Sequence, residues 1–509
     1  MRFRAIADSL GIILMFFSIT FVVPFAAILY YWDLSYDPAT QLRSCEEGWR
    51  TIISFLIPAV LCLVVGGALR IFGRGYSEDI RDREAFFVVG VGWLVIAFLG
   101  CLPFLISGTL TNFFDAYFES MSGFTTTGAT VLEIPGGAPE GADYLDAYPH
   151  SVMLWRSFIC WLGGMGIIVL SIVILSKFLG GGSSLMDAEV SGPTSTRLKP
   201  RIAQTARSLF IVYMTLTIIT IALFRIVGMD GFDAVNHTFT TLATAGFSTH
   251  YSSIAYYDNA LIELAITLFM FIAGINFAIH YKLIAGIGDK RKLLRDPEMT
   301  FYTLIITFAV FLITIILIGA RDIGTWDSFR MSLFQTVSII TTTGYSTTDF
   351  SLWPESTQFI ILLLMLTGGC AGSTGGAIKV IRLLILTKLI RREVRRAVRS
   401  RAVMSINIGE NSLPENVVQA VAMFFIIYIM MFIFGSFLFM MMGYDMITSI
   451  STAATSLGNV GPALGKFGPA FTYQSMPFYG KLLMALLMWL GRLEIMAGFI
   501  LMFPSSYKE

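Results

Sequence analysis

The 509-residue chain has few charged residues and few cysteines, and each shortage excludes a class of protein. Only 14% of its residues are charged while 55% are hydrophobic, a composition that excludes a soluble globular protein. The five cysteines have no metal-ligand spacing, and only Cys45 falls in an expected external loop, so no disulfide framework is indicated. Neither a P-loop nor a GxGxxG motif after a strand is present, and the net charge of +1 gives no sign of nucleic acid binding. We expect an all-α polytopic membrane protein that binds no nucleotide itself.

Ten apolar runs are long enough to cross a bilayer. We expect each to be a helix, because the backbone N–H and C=O groups find no hydrogen-bond partner in lipid and a helix pairs them within the segment. Six runs are uninterrupted, at Asp8–Trp32, Thr51–Phe72, Glu84–Ile106, Ala206–Gly228, Met299–Ala320 and Asn416–Gly443. Four contain glycine or a charge and are expected to be kinked, at Met153–Ser176, Leu261–Ile284, Gln358–Ile390 and Lys481–Phe503.

The distribution of charge predicts the orientation. The stretch from Ile106 to Trp155 has six acidic residues and no Lys or Arg, whereas Arg70–Arg83, Lys282–Arg295 and Lys388–Arg401 are rich in basic residues. By the positive-inside rule the basic loops are cytoplasmic, and ten spans then place both termini on that side.

One motif recurs four times. It reads FTTTGAT at Phe124–Thr130, ATAGFST at Ala243–Thr249, TTTGYST at Thr341–Thr347 and TSLGNVG at Thr455–Gly461. The central glycines are taken as Gly128, Gly246, Gly344 and Gly458. Each motif follows an aspartate and a segment of about ten residues, which is half the length that a crossing helix needs.

The aspartates Asp115, Asp233, Asp327 and Asp445 are expected to cap these half-length helices. Asp327 lies 17 residues before its glycine and the other three lie 13 before theirs, which predicts a third helix about one turn longer. The chain is thus expected to form four span–pore-helix–filter–span repeats around one central pore, at 81–180, 200–290, 296–402 and 414–509. Residues 1–80 would add two accessory transmembrane helices.

The motif suits the binding of a dehydrated cation. Converging backbone carbonyls can replace a hydration shell, one position needs a conformation that glycine enters freely, and the negative end of each pore helix points at the loop. The motifs contain no acidic ring, which favours a large monovalent ion, K⁺ above all. His237 and His250 flank the second motif, but without carboxylate or thiol companions in the sequence they do not suggest a metal site.

The four motifs and the repeated unit resemble the Trk/Ktr/HKT superfamily of potassium transporters, from about residue 80 to the C-terminus, and most closely its bacterial Trk membrane subunits. The resemblance implies that potassium is coordinated by the carbonyls of four residues per repeat: Thr126, Thr127, Gly128 and Ala129; Thr244, Ala245, Gly246 and Phe247; Thr342, Thr343, Gly344 and Tyr345; and Ser456, Leu457, Gly458 and Asn459. Relatives with serine at the first glycine tend toward sodium, so Gly128 favours potassium. The fourth motif departs most, with Leu457 where the others have Thr or Ala.

A second glycine-dense stretch, Leu366–Lys379, interrupts the third repeat's second span and is expected to break it into two half-helices. We interpret it as a gate below the filter, and the same position in the Trk family resembles the intramembrane gating loop. The expected gate residues are Gly368, Gly369, Gly372, Ser373, Thr374, Gly375, Gly376, Lys379 and Arg492. Arg492 is an ionisable residue in an apolar span and is expected to lie against this loop. Close packing through small residues, and a purely structural Arg492, remain alternatives.

The basic run Lys388–Arg401 continues from that broken span. Arg391, Arg392, Arg395 and Arg396 are expected either to dock a cytosolic regulator or to contact anionic lipid. The resemblance implies the regulator: a ring-forming, nucleotide-binding subunit like TrkA. It also implies a homodimer in a bacterial inner membrane.

The sequence therefore predicts channel-like potassium uptake driven by the membrane potential. The alternative is a proton- or sodium-coupled transporter that works by alternating access, for which inverted repeats with matched helix breaks are typical. Four parallel repeats, with the Gly-rich break in only one, favour the channel. No paired carboxylates, HExxH or nucleophile motif supports an enzyme.

Overall fold

The computed structural model describes residues 2–31, 48–74, 82–135, 142–178, 198–320, 324–399, 404–409 and 411–495, together with residue 498. Some residues named above lie outside the described residues: Cys45, Glu140 and the end of the basic run at 400–401. The last expected span is described only to residue 495 and at residue 498. The accessory region and first repeat contain α1 (Phe3–Thr20), α2 (Val23–Tyr31), α3 (Trp49–Gly73), α4 (Asp82–Gly100), α5 (Leu102–Ser107), α6 (Phe113–Phe124), α7 (Tyr144–Ala147) and α8 (His150–Phe178).

The second and third repeats contain α9 (Leu198–Ile226), α10 (Gly231–Leu242), α11 (Ala260–Ala273), α12 (Phe277–Ile284), α13 (Lys290–Leu294), α14 (Pro297–Ala320), α15 (Thr325–Ile340), α16 (Glu355–Met365) and α17 (Val380–Val398). An antiparallel hairpin of β1 (Ile406–Ile408) and β2 (Asn411–Leu413) leads to the fourth repeat, with α18 (Glu415–Met441), α19 (Met446–Gly458) and α20 (Phe478–Arg492). Short 3₁₀ helices occur at Ser253–Tyr257, Phe350–Leu352 and Gly465–Phe467.

The expected spans are largely present as helices. Among the described residues, seven helical segments are long and apolar enough to cross a membrane, and they include all six uninterrupted runs. The helices α11 and α12 would make an eighth if they are counted as one broken span, since they meet at a bend of 98°. The third repeat's second span is split into α16 and α17, as predicted. The kink expected in Leu261–Ile284 is present too, as a break at Gly274–Asn276, although this second break is not rich in glycine.

The accessory helices pack on the first repeat, as expected for an added pair. α1 crosses α3 closely, since Gly11 and Gly66 each lie against the other's backbone oxygen. Phe21, directly after α1, stacks on Trp155 of α8 with ring centroids 4.6 Å apart.

The four pore helices α6, α10, α15 and α19 are held in a closed cycle. The second span of each repeat packs on the pore helix of the next: α8 on α10, α11 on α15, and α16 on α19. In the fourth repeat, α20 packs on α6 of the first and so closes the cycle. α15 has 16 residues, where α6 and α10 have 12, which confirms the expected extra turn.

Candidate cation pathway

Each pore helix is followed, one or two positions after its last residue, by a residue with left-handed backbone. Thr126, Thr244, Thr342 and Asn459 have φ of 52°, 54°, 60° and 55°. Threonine rarely adopts this conformation, which costs on the order of 1–3 kcal/mol and persists only where the surroundings enforce it. Two residues later comes a glycine with positive φ: Gly128, Gly246, Gly344 and Gly461. The second left-handed position was not apparent from sequence, since threonine gives no sign of it.

The four glycines form a closed ring with their neighbours' carbonyls. A Cβ atom on Gly128 would lie 1.7 Å from the carbonyl oxygen of Ala245, and one on Gly246 would lie 2.0 Å from that of Thr343. The cycle continues from Gly344 to Val460 at 2.0 Å and from Gly461 back to Thr127 at 2.6 Å. Each glycine is therefore required twice, by its positive φ and by the approach of a rigid carbonyl. We call residues 126–129, 244–247, 342–345 and 459–462 the filter ring.

The sequence alignment of the fourth motif was three residues out of register. Val460 N donates to Thr455 O, as Thr127 N does to Ser122 O, so Asn459 corresponds to Thr126 and Gly461 to Gly128. The predicted residues Ser456, Leu457 and Gly458 instead form the last turn of α19. The cause is that α19 continues through Gly458, while proline at 462 takes the place of Ala129, Phe247 and Tyr345.

The threonines beside the ring brace it from outside. Thr125 Oγ1 donates to Met121 O of the pore helix and lies 2.8 Å from Thr127 Oγ1. Thr341 and Thr343 repeat the arrangement in the third motif, again at 2.8 Å. These hydroxyls fasten the loop to its own helix.

Two carbonyls of the ring are hydrogen-bonded to side chains. Tyr345 O accepts from Ser338 Oγ at 2.7 Å, and Gly461 O accepts from Tyr473 Oη at 2.9 Å. Tyr345 was expected to offer its carbonyl to the ion, but that oxygen is directed at the pore helix. Its own hydroxyl contacts Thr240 of the neighbouring repeat and anchors the ring there.

Three of the four aspartates do not cap their helices as predicted. The N-cap residues are Asn112, Asp230 and Gly324, three positions earlier, and only Asp445 caps its helix. Asp115 and Asp233 are buried in the first turns and bind other repeats or loops instead.

The junction of the first and fourth repeats is cross-linked by polar side chains. Lys481 of α20 forms a buried ion pair with Asp115 at 2.6 Å. Asn459 Nδ2 donates to Thr127 Oγ1 at 3.0 Å, and Tyr473 N donates to Thr130 O at 2.9 Å. These bonds close the ring where the first and last repeats are not consecutive in the chain.

A second buried ion pair supports the outer edge of the ring. Arg156 Nε contacts Glu119 at 2.7 Å, and its Nη1 donates to Ser248 O at 2.8 Å. The guanidinium lies 3.7 Å from the ring centroid of Phe247. Glu119 in turn accepts from Val131 N. Sequence reasoning missed this pair, although Arg156 is a charge within an apolar run and so carried a signal.

His250 lies between two carboxylates at the outer rim. Its Nε2 contacts Asp233 at 2.8 Å and its Nδ1 contacts Asp143 of the first repeat's external loop. Burial opposes the charge, but these hydrogen bonds outweigh it and raise the pKa of His250 to about 9. The imidazolium therefore joins two repeats at neutral pH, and its carboxylate partners were not apparent from the sequence.

The Gly-rich segment forms a compact loop between α16 and α17. Gly368 N donates to Ile378 O and Val380 N donates to Gly369 O, so its two ends are joined. Its far side lies at the C-terminal ends of the pore helices: Thr374 Oγ1 donates to Leu242 O, and Gly376 N to Thr342 Oγ1 at 2.8 Å. We call residues 366–380 the inner loop. It lies against the filter ring on the pore-helix side, where the gate was predicted.

Two buried cations hold the inner loop. Arg492 Nη1 donates to Thr374 O at 2.8 Å, and its Nη2 to Gly163 O of the first repeat at 3.1 Å. Lys379 Nζ donates to Gly375 O. The structure thus brings both residues to the loop as predicted. Glu494, two residues after Arg492, pairs with Arg382.

The part of the basic run that lies on α17, Lys388–Val398, has an exposed face and a buried face. Arg391 and Arg395 are exposed, as a docking surface requires. Arg392 is buried and makes a two-pronged ion pair with Glu415 of α18, at 2.7 and 2.8 Å, so it fastens α17 to α18. Arg396 is partly exposed and contacts Glu393 at 3.3 Å. The assignment of Arg392 to partner docking is therefore wrong.

Comparison with known proteins places this architecture. A family model described as TrkH, cation transport protein, matches residues 52–507. Over the whole of both chains, the sequence is 37% identical to a Trk system potassium uptake protein TrkH of Vibrio parahaemolyticus and 35% identical to that of Halomonas elongata. It is 33% identical to TrkG of Escherichia coli over 98% of this chain and 97% of that protein. The crystal structure of the potassium transporter TrkH from Vibrio parahaemolyticus superposes with a TM-score of 0.86, at 35% identity and full coverage of both chains. The chain belongs to the TrkH family of cation transport proteins.

Proposed function

We propose that the chain takes up potassium as a channel-like subunit, with the filter ring as its selectivity filter and the inner loop as its gate. The observation that carries this proposal is the closed cycle of four glycines, each against a neighbour's carbonyl oxygen. Such a ring sets the distance between carbonyls from four sides, which a dehydrated ion needs. The relatives named potassium uptake proteins support K⁺ as the ion.

The coordinating oxygens are proposed to be backbone carbonyls at the first three ring positions of repeats one to three and at Asn459 and Val460 of the fourth. The carbonyls of Ala129 and Phe247 remain further candidates, whereas those of Tyr345 and Gly461 are left out because side chains already donate to them. The ring contains no carboxylate, so the site suits a monovalent cation.

The inner loop is proposed to close the pathway below the ring. It touches the ends of pore helices from the second and third repeats, and Arg492 links it to the first. The positive charges of Arg492 and Lys379 would oppose a cation in the place where pore-helix dipoles otherwise favour one.

Regulation is proposed to reach this gate along α17, which begins at the end of the inner loop and carries exposed Arg391 and Arg395. The partner we propose is a nucleotide-binding cytosolic subunit of the Trk system, and the assembly a homodimer in the bacterial inner membrane. The basic connectors and both termini would then face the cytoplasm.

The test is tracer flux into liposomes that contain the protein alone, under a potassium diffusion potential, comparing K⁺, Rb⁺ and Na⁺. A parallel sample lacks residues 372–376, so that a closed wild type is not mistaken for a non-conductor. We expect flux of K⁺ and Rb⁺ well above Na⁺, raised by the deletion. Flux that requires a proton or sodium gradient would overturn the channel and support a coupled transporter.

A further inference from the structure

The inner loop makes a second set of contacts, besides those with the filter ring, and the proposed gating function assigns no role to them. Residues 374–376 of the loop contact the pore-helix ends and the filter ring. Residues 370–372 contact the segment that connects the second and third repeats. That segment runs from the bend at Gly274 through α12 and α13 to Glu298 at the start of α14. We call it the 274–298 connector. Its contacts with the loop come from both of its ends.

Glu298 makes the first of these contacts. Its Oε1 atom accepts from Ala371 N at 2.6 Å and from Ile381 N at 3.1 Å. One carboxylate oxygen therefore ties the middle of the loop to the first turn of α17. Glu298 is only 7% exposed, so the bonds form where water competes little for the two N–H groups.

The bend makes the second contact. Gly274 O accepts from Cys370 N at 2.8 Å, and Phe277 N donates to Gly372 O at 3.1 Å. The backbone groups that the 98° break leaves without helical partners are thus bonded to the loop. Asn276 keeps the bend in place by capping α12 through Ala278 N at 2.8 Å.

From these contacts we propose that Glu298 and the 274–277 bend form a clasp that holds the inner loop shut, with Glu298 as a positioning residue for the gate. The proposal rests on the proposed gating function of the loop. Because both halves of the clasp belong to one short connector, displacement of that connector would release the loop at Cys370–Gly372 and at Ile381 together.

The experiment compares four proteins with the wild type in liposomes: Glu298→Ala, Glu298→Gln, the deletion of residues 372–376, and Glu355→Gln. Glu355 is an exposed first-turn glutamate of α16 in the same repeat and serves as the charge-matched control. We expect Glu298→Ala to raise K⁺ flux about tenfold, since two buried hydrogen bonds are lost. Glutamine can still accept both bonds, so its rise should be smaller. The ratio of K⁺ to Na⁺ flux should not change.

A second measurement follows the loop itself. Cys370 is 1% exposed, and with the other four cysteines replaced by serine or alanine its rate of labelling by a maleimide reports release of the loop. We expect faster labelling in Glu298→Ala and Asn276→Ala than in Glu355→Gln. A residue that only stabilised the fold would lower the melting temperature without raising flux at unchanged selectivity.

The outcomes separate the clasp from the gate. If the deletion raises flux but Glu298→Ala leaves both flux and Cys370 labelling at wild-type levels, the clasp is refuted and the gate stands. If the deletion does not raise flux either, the gate itself fails and the clasp with it.

Discussion

The filter ring and the inner loop are both irregular, glycine-dense backbone inside a membrane protein, yet they are held differently. Each ring glycine packs against a backbone carbonyl of the next repeat, and the cycle has no free end. The inner loop is held from other elements chiefly by two side chains, Arg492 and Glu298, and by only two bonds between backbone groups, both from the 274–277 bend. A closed cycle of backbone cannot shift in one place without shifting everywhere, whereas side-chain ties can be released one at a time. The difference suits a fixed filter above a movable gate.

The strongest test of the fixed ring is Gly344→Ala. Its Cβ would lie 2.0 Å from Val460 O at φ +82°, so the ring must distort, and we expect K⁺-selective flux to be lost. Gly443→Ala is the matched control, because Gly443 has a similar φ of +89° with nothing within 4 Å. The control pays the conformational cost of about 1–2 kcal/mol without the clash. Equal flux ratios in the two variants would show that the ring is not closed.

The junction of repeats one and four is the ring's only non-consecutive contact, and Lys481→Met should weaken it. The buried Asp115 carboxylate would lose its cation, at a cost of about 3–5 kcal/mol. We expect a large fall in the melting temperature in detergent, partly recovered by adding Asp115→Asn. Lys466→Met changes an exposed lysine of the same repeat and should have little effect. If Lys466→Met lowered the melting temperature as much as Lys481→Met does, the ion pair between Lys481 and Asp115 would not be what holds the junction.

Much of this contrast was predictable from sequence, and the exceptions have physical causes. The repeats were visible because half-length helices before TTTG motifs are unlike ordinary spans. The register of the fourth motif was not, because Gly458 resembles a filter glycine while belonging to α19. A kink in Leu261–Ile284 was expected from its glycine, but the bonds from the bend to the inner loop were not, because the two segments are about 95 residues apart in the chain. The partners of Arg156, His250 and Glu298 lie far away in the chain, and pairing at such separations cannot be derived from local patterns.

For the inner loop, Arg492→Ala should have the opposite effect to a ring substitution. It removes the bonds to Thr374 O and Gly163 O, and we expect K⁺ flux through the isolated chain to rise about tenfold, at an unchanged ratio of K⁺ to Na⁺. Arg225→Ala, an exposed arginine at the end of α9, is the control for loss of charge. A changed ion ratio in Arg492→Ala would mean that the loop and the ring are one unit, contrary to the comparison.

The smallest effect should come from the outer rim, where His250 joins Asp143 to Asp233. The pKa of His250 is raised to about 9 from an ordinary value of 6.5, so the charged form is stabilised by folding. This stabilisation is fully present below pH 6.5 and is lost as the pH rises through about 9. We expect the melting temperature to fall between pH 8 and 10 by an amount equivalent to about 1 kcal/mol. His250→Gln should lack that part of the fall, and the difference between the two curves excludes other groups that titrate in the same range.

Since the rim braces only one side of a ring closed elsewhere by backbone, the ratio of K⁺ to Na⁺ flux should stay constant across the same pH range. A ratio that followed the titration would mean that the ring depends on its side-chain supports, as the inner loop does.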